Sequence, residues 1–129
     1  RQKAQEEGIT NVDFQRGTLE DLSYPPESFD VVLGLNIIHL LDDIDGAMKK
    51  CYDLLKPGGV FVSSTVCISR ANAFFRFILP IGGKLGVIPK LQYFDLPELE
   101  SKITRAGFRI KTNELLNKSG MTSFIIAQK

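Results

Sequence analysis

Residues Ser28–Ser63, SFDVVLGLNIIHLLDDIDGAMKKCYDLLKPGGVFVS, decide the fold class of this chain. The stretch reads as a strand, a loop, an amphipathic helix, a glycine turn and a second strand. Two strands that are joined by a helix pair through a crossover connection, so they are parallel. Ligands of such sheets bind at the carboxyl ends of the strands, which for the first strand is Gly34-Leu35-Asn36. The sequence therefore predicts an α/β sheet with a site beside these residues.

The composition of the 129-residue chain is that of one globular domain. Hydrophobic residues make up 43%, charged residues 24%, and the formal net charge is +1, so no nucleic-acid partner is predicted. The two cysteines and the one histidine lack zinc-site spacing, and we predict no metal. No apolar run reaches the roughly eighteen residues of a membrane-spanning helix, and a reducing, cytoplasmic location is expected.

The helix within the opening stretch carries its apolar residues in one stripe, and a strand is predicted to follow over Val60–Val66. The stripe consists of Ile44, Ala47, Met48, Cys51, Leu54 and Leu55. Asp42, Asp43 and Asp45 lie at the helix start, where we interpret them as complementing the helix dipole rather than binding a cation. The Gly58-Gly59 pair is interpreted as a turn rather than a ligand contact.

Periodicity predicts further elements on both sides of this stretch. Residues 1–7 read as a helix, and Asn11–Gln15 alternates like a short strand. Phe29–Leu35 is almost continuously apolar, which predicts a strand buried on both faces. A capping box predicts a helix over residues 95–106, and two strands after it, joined by a four-residue turn, form an antiparallel hairpin.

The segment between the second strand and the later helix, residues 69–94, is unusual in composition. No acidic residue lies between Asp53 and Asp95, whereas five lysines and arginines do. Phe74, Phe75 and Phe77 fall in its apolar part. Two interpretations stay open: a basic, apolar lid that binds a hydrophobic or anionic acceptor or contacts a membrane surface, and aromatic residues that simply cover the sheet.

Three local signatures resemble a known family. The first is Gly17-Thr18-Leu19-Glu20-Asp21-Leu22 with the prolines and Ser28-Phe29-Asp30 after it, the second is Leu54-Leu55-Lys56-Pro57-Gly58-Gly59, and the third is Ala106-Gly107-Phe108 before a terminal hairpin. In this order they resemble the carboxyl-terminal two-thirds of a class I S-adenosylmethionine-dependent methyltransferase of the small-molecule type. The resemblance implies a Rossmann-like sheet in the order 3-2-1-4-5-7-6, mostly parallel with an antiparallel hairpin. It divides residues 1–129 into a cofactor-side part (1–68), the insert (69–94) and a terminal helix and hairpin (95–129).

The resemblance also implies site residues. Thr18, Leu19 and Glu20 (or Asp21) correspond to the turn that holds the adenine of S-adenosylmethionine, although the family often has a carboxylate or amide where Thr18 stands. Leu35 and Asn36 correspond to the loop beside the methionine end of the cofactor. The family's first two strands and its glycine-rich loop have no counterpart in this sequence. We therefore expect the chain to be a fragment that binds the cofactor poorly or not at all by itself. We also expect it either to be marginally stable alone or to pair with a second copy through an exposed sheet edge.

The function that the resemblance implies is methyl transfer to a small, apolar acceptor by the parent protein. His39 has the side chain suited to act as a base near neutral pH, and the competing interpretation is that it only packs or caps. Phe74, Phe75 and Phe77 are the predicted acceptor contacts. The alternatives are a non-catalytic binding domain of the same fold and, last, a nicotinamide-dependent dehydrogenase, whose carboxyl half does not normally end in such a hairpin.

Overall fold

The computed structural model describes residues 1–66, 94–116 and 122–129. The first half contains helix α1 (Gln2–Glu6), strand β1 (Phe29–Leu35), a 3-10 turn (Ile38–Leu40), helix α2 (Ile44–Leu54) and strand β2 (Leu55–Val66). Helix α3 (Leu96–Arg105) and strands β3 (Arg109–Leu115) and β4 (Thr122–Gln128) follow. Within these ranges, no helix has the length and apolar character needed to cross a membrane.

The four strands form one mixed sheet in the order β1-β2-β4-β3. Strands β1 and β2 are parallel, and β4 pairs antiparallel with both β2 and β3. The prediction of a parallel crossover followed by an antiparallel hairpin is therefore confirmed. The observed order matches the last four positions, 4-5-7-6, of the order that the resemblance implies.

Helix α2 forms where its apolar stripe and its capping residue agree. The side chain of Asp43 accepts a hydrogen bond from the backbone N–H of Gly46 at 2.9 Å, which satisfies a donor that the first turn leaves free. The predicted stripe is buried against the sheet. The helix ends at Leu54, and β2 begins at Leu55, five residues before the predicted Val60. The early start arises because Leu55 already pairs with Phe29, ahead of a register irregularity.

The Gly58-Gly59 pair lies inside β2 and not in the predicted turn between helix and strand, because β2 begins at Leu55. Gly58 has a φ of +79°, a conformation that L side chains rarely adopt. A Cβ atom on Gly59 would lie 2.8 Å from the carbonyl oxygen of Lys56. Glycine is therefore required by the backbone at both positions.

Helix α3 begins as the capping box predicts. The Asp95 side chain accepts a hydrogen bond from the Glu98 N–H at 2.9 Å. Leu99 and Ile103 are fully buried and join the α2 stripe in the core. Both helices cover the same face of the sheet, where Phe61, Ile125 and Ala127 point into the core.

Two predictions about strands are wrong. Asn11–Gln15 is not a strand, because alternation defines a face but supplies no hydrogen-bonding neighbour, and none of the described strands pairs with it. Strand β1 is not buried on both faces. Val31, Leu33 and Leu35 are 51%, 60% and 54% exposed, because α2 and α3 cover only the opposite face among the described elements.

Truncation of a core residue should show which packing holds the sheet and helices together. Leu99→Ala should lower the free energy of unfolding by about 2–5 kcal/mol, because it leaves a cavity between α3 and the sheet. Leu115→Ala, at a side chain 45% exposed, should cost less than about 1 kcal/mol. Urea denaturation compares the two, and equal losses would contradict the assignment of the core.

Candidate functional site

A cleft of about 790 Å³ opens beside the carboxyl end of β1. This is the edge of a parallel sheet at which ligands bind. Side chains from the loop before β1, from β1 itself and from the two helical segments after it form the wall. The wall consists of residues 15–22, Val32, Leu33, Gly34, Ile37, Ile38, residues 40–43, Ala47, Met48, Cys51 and Phe61. Outside residues 15–22 most of these side chains are apolar. The polar groups are concentrated in residues 15–22 and in Asp42 and Asp43.

Asp21 organises the loop that forms one wall of the cleft. Its carboxylate accepts hydrogen bonds from the Thr18 N–H at 2.8 Å and from the Thr18 hydroxyl at 2.9 Å. These bonds favour the charged form and hold the pKa of Asp21 below its ordinary value. The Lys50 ammonium on α2 donates to the Leu22 carbonyl at 3.1 Å and ties the other end of the loop to the helix.

The predicted adenine-side residues converge in the structure. Thr18, Leu19 and Glu20 all line the cleft. Because Asp21 is engaged by Thr18, Glu20 is the carboxylate of this pair that has no hydrogen-bond partner among residues 1–66, 94–116 and 122–129 to give up before it contacts a ligand. The structure therefore separates two acidic residues that the sequence left as alternatives.

The predicted methionine-side residues lie at the rim. Leu35 and Asn36 stand between Gly34 and Ile37, which line the cleft, but do not line it themselves. The Asn36 N–H donates to the Ser64 carbonyl at 2.7 Å, and its φ of +52° turns the chain out of β1. The backbone of Asn36 is thus fixed, while its side chain is exposed.

His39 lies on the 3-10 turn, which packs on β2. A hydrogen bond of 3.3 Å joins His39 Nδ1 and the Thr65 hydroxyl. Partial burial lowers the pKa of His39 from its ordinary value, because removal from water disfavours the charged ring. His39 is not among the residues that line the cleft.

Other chemically active side chains near the cleft have structural roles. Burial raises the pKa of the Cys51 thiol to about 11, so the sulfur stays protonated and is a poor nucleophile. Asp45 pairs with Lys102 at 2.6 Å and with Arg105 at 3.6 Å, which joins α2 to α3. No group of three potential metal-ligating side chains occurs within residues 1–66, 94–116 and 122–129. The predicted acceptor contacts Phe74, Phe75 and Phe77 lie outside these ranges.

Sequence reasoning missed a row of buried hydroxyls on the core face of the sheet. Ser63, Thr65 and Ser123 are at most 1% exposed, and Thr65 and Ser123 are register partners on β2 and β4. Within the part of the chain that the structure describes, the Ser63 Oγ atom has no hydrogen-bond partner, which is rare for a buried polar atom. The available signal was the alternation after Phe61, which places residues 63 and 65 on the same face as this core phenylalanine.

Comparison with known proteins agrees with this geometry. A family model described as a methyltransferase domain matches residues 1–63. A ubiquinone biosynthesis O-methyltransferase from Parvibaculum lavamentivorans is 31% identical over 114 residues, which cover 84% of this chain and 44% of the relative. A demethylmenaquinone methyltransferase from Listeria welshimeri is 30% identical over 96 residues, which cover 65% of this chain and 39% of the relative. The chain thus spans less than half the length of either relative.

A solved structure supports the fold. The S-adenosylmethionine-dependent methyltransferase from Mesorhizobium loti has a TM-score of 0.73 to this chain, at 19% identity, and the match covers 94% of this chain and 71% of the other. The sequence matches, the sheet order and the position of the cleft agree: the chain carries a match to a methyltransferase domain over residues 1–63 and has the fold of the class I S-adenosylmethionine-dependent methyltransferases.

Proposed function

We propose that the protein transfers a methyl group from S-adenosylmethionine to a hydroxyl of a small aromatic acceptor of the quinone-precursor type. The observation that carries the proposal is the cleft at the carboxyl end of β1, with the predicted adenine-side residues in its wall. The names of the two relatives, both methyltransferases of quinone biosynthesis, support the acceptor class.

The cleft has the size and lining that the cofactor needs. Its volume of about 790 Å³ falls in the range of roughly 300–1,000 Å³ that is usual for small-molecule sites. Leu19 and Ile37 supply apolar surface against which an adenine ring can pack. Thr18 and Glu20 supply polar atoms in the wall, and the resemblance assigns Leu35 and Asn36, at the rim, to the methionine side of the cofactor. The residues present therefore fit the adenosine part of the cofactor.

When bound, S-adenosylmethionine supplies an electrophilic methyl group on a sulfonium, whose departure leaves a neutral thioether. The contribution of the protein is to hold the acceptor oxygen in line and to exclude water. A phenolic hydroxyl has an unperturbed pKa of about 10, so at neutral pH it needs a base to accept its proton. His39 is the proposed base, because it lies between Ile38 and Leu40, which line the cleft, and because burial favours its neutral ring.

A non-catalytic binding domain is the second candidate. The observation that favours it is Thr18, which stands where the family often has a carboxylate or amide and whose hydroxyl is bonded to Asp21. A binding domain and an enzyme differ in whether S-adenosylhomocysteine is formed, which the following measurements test.

Cofactor affinity tests the adenine-side assignment. Titration calorimetry of the full-length protein with S-adenosylmethionine should show binding, and Glu20→Gln should weaken it roughly tenfold, because a charge-assisted hydrogen bond contributes about 1.5–3 kcal/mol before solvent screening. Glu114→Gln, at an exposed position on β3, is the matched control and should bind like the wild type. Absence of heat with the wild type would contradict the methyltransferase proposal, whereas equal affinity of the two variants would remove Glu20 from the site.

Turnover tests the base. With a panel of alkylated catechols and hydroquinones, His39→Gln should lower kcat roughly 100-fold or more, because general-base catalysis contributes about 10²–10⁴-fold. The dissociation constant for S-adenosylmethionine should stay unchanged. The measurement is S-adenosylhomocysteine formation, and an unchanged kcat would assign His39 a packing role only.

The depressed pKa of His39 also predicts a pH dependence of stability. As the pH falls through 6.5, the unfolded chain takes up a proton that the folded chain takes up only at lower pH. The wild type should therefore lose more stability than His39→Gln between about pH 7.5 and 5.5, because only the wild type carries this linkage. Urea denaturation at the two pH values gives the difference, in which the carboxylates common to both proteins cancel. An equal loss of stability in the wild type and in His39→Gln would contradict the depressed pKa of His39.

A further inference from the structure

The polar residues at the carboxyl end of β2 suggest how His39 is held. Nearer the start of β2 the core face of this strand is apolar, with Leu55 and Phe61 in the core. At its carboxyl end Ser63 and Thr65 replace apolar residues, although both positions are at most 1% exposed. Buried hydroxyls cost free energy unless they are hydrogen-bonded. The contact between Thr65 and His39 offsets that cost and also restrains the ring.

The backbone around His39 is fixed on both sides. Ile38 is 1% exposed and anchors the 3-10 turn in the core. The Leu40 N–H donates to the Ile37 carbonyl at 2.9 Å, and the Leu41 N–H donates to the Ile38 carbonyl at 3.2 Å. With the backbone held in this way, the contact of Nδ1 with Thr65 at 3.3 Å restrains the remaining freedom of the side chain.

A neutral imidazole has one nitrogen that donates and one that accepts, and the partner of one nitrogen decides the role of the other. We propose that Thr65 is a positioning residue for His39: the Nδ1–H donates to the Thr65 hydroxyl, so the lone pair on Nε2 is free to accept a proton from the acceptor. The base role rests on the proposed function, whereas the tautomer does not. The proton removed from the acceptor hydroxyl ends on Nε2, and the freed oxygen forms the bond to the methyl carbon as the carbon–sulfur bond breaks.

The tautomer can be measured without knowledge of the acceptor. His39 is the one histidine of this sequence, so ¹⁵N-labelled protein gives one set of imidazole signals from this chain, and loss of those signals in His39→Gln assigns them. Near pH 8, above the ordinary histidine pKa of about 6.5, a long-range ¹H–¹⁵N correlation spectrum should show a protonated Nδ1 and a bare Nε2. A protonated Nε2 in the wild type would overturn the proposal.

Three variants separate the hydroxyl of Thr65 from its bulk. Thr65→Val keeps the shape but removes the hydroxyl, and the Nδ1–H population should fall. Thr65→Ser keeps the hydroxyl and should keep the tautomer. Ser63→Ala removes the neighbouring unpartnered hydroxyl on the same face and should also leave the tautomer unchanged. An unchanged tautomer in Thr65→Val would overturn the proposal. If Thr65→Val does not fold, the spectra of the wild type and of Thr65→Ser still decide whether the proposal holds.

Kinetics then connect the tautomer to catalysis. Thr65→Val should lower kcat roughly 10- to 100-fold, part of the contribution of a general base, while the affinity for S-adenosylmethionine stays unchanged. Thr65→Ser should restore most of kcat. If the wild type shows the expected tautomer but no S-adenosylhomocysteine formation, the proposed function fails and the positioning contact stands. If the wild type is active but shows the opposite tautomer, the proposed function stands and the positioning role of Thr65 fails.

Discussion

The pairing of β2 with two neighbours of opposite direction is the constraint on which the rest of the structure depends. On one side, Ser63 is the register partner of Gly34 in a parallel ladder, and on the other it is the partner of Ile125 in an antiparallel ladder. The parallel ladder brings the carboxyl ends of β1 and β2 together, which creates the edge where the cleft lies. The antiparallel ladder brings in β4 and, through it, β3. A slip of one residue in either ladder would move every side chain of β2 to the other face.

Polar groups around the cleft divide into those that build the fold and those left for a ligand. Asp21, Asp43 and Asp45 each have partners within the protein, in a loop turn, a helix cap and a link between helices. Their chemistry is therefore structural, although they stand in or near the wall of the site. Glu20 and the Nε2 atom of His39 are the groups on which the proposed chemistry depends. The neighbour of Glu20, Asp21, forms a hydrogen bond that holds the loop, and the Nδ1 atom of the same imidazole forms one that holds the ring.

The secondary structure could be predicted wherever local signals agreed with one another. Helices α2 and α3 each have an aspartate cap and a buried stripe at helical spacing, and both formed as predicted. Asn11–Gln15 had alternation alone, and it did not become a strand because pairing needs a neighbour that a local pattern cannot supply. The same limit explains β1: its run of apolar residues predicts two covered faces, but Val31, Leu33 and Leu35 are more than half exposed.

By itself, the sequence determined the α/β class, the start of α3 at its capping box and the resemblance to the methyltransferase family, because these depend on periodicity and on short motifs that act over a few residues. It also placed Thr18, Leu19 and Glu20 in one turn. Only the tertiary structure decided that Asp21 is engaged within that turn, that Leu35 and Asn36 stand at the rim, and that His39 contacts Thr65, 26 residues further along the chain. Contacts of this kind arise from the register of β1 against β2 and from the path of the turn between them. No local pattern encodes them, because they join residues that only the sheet brings together.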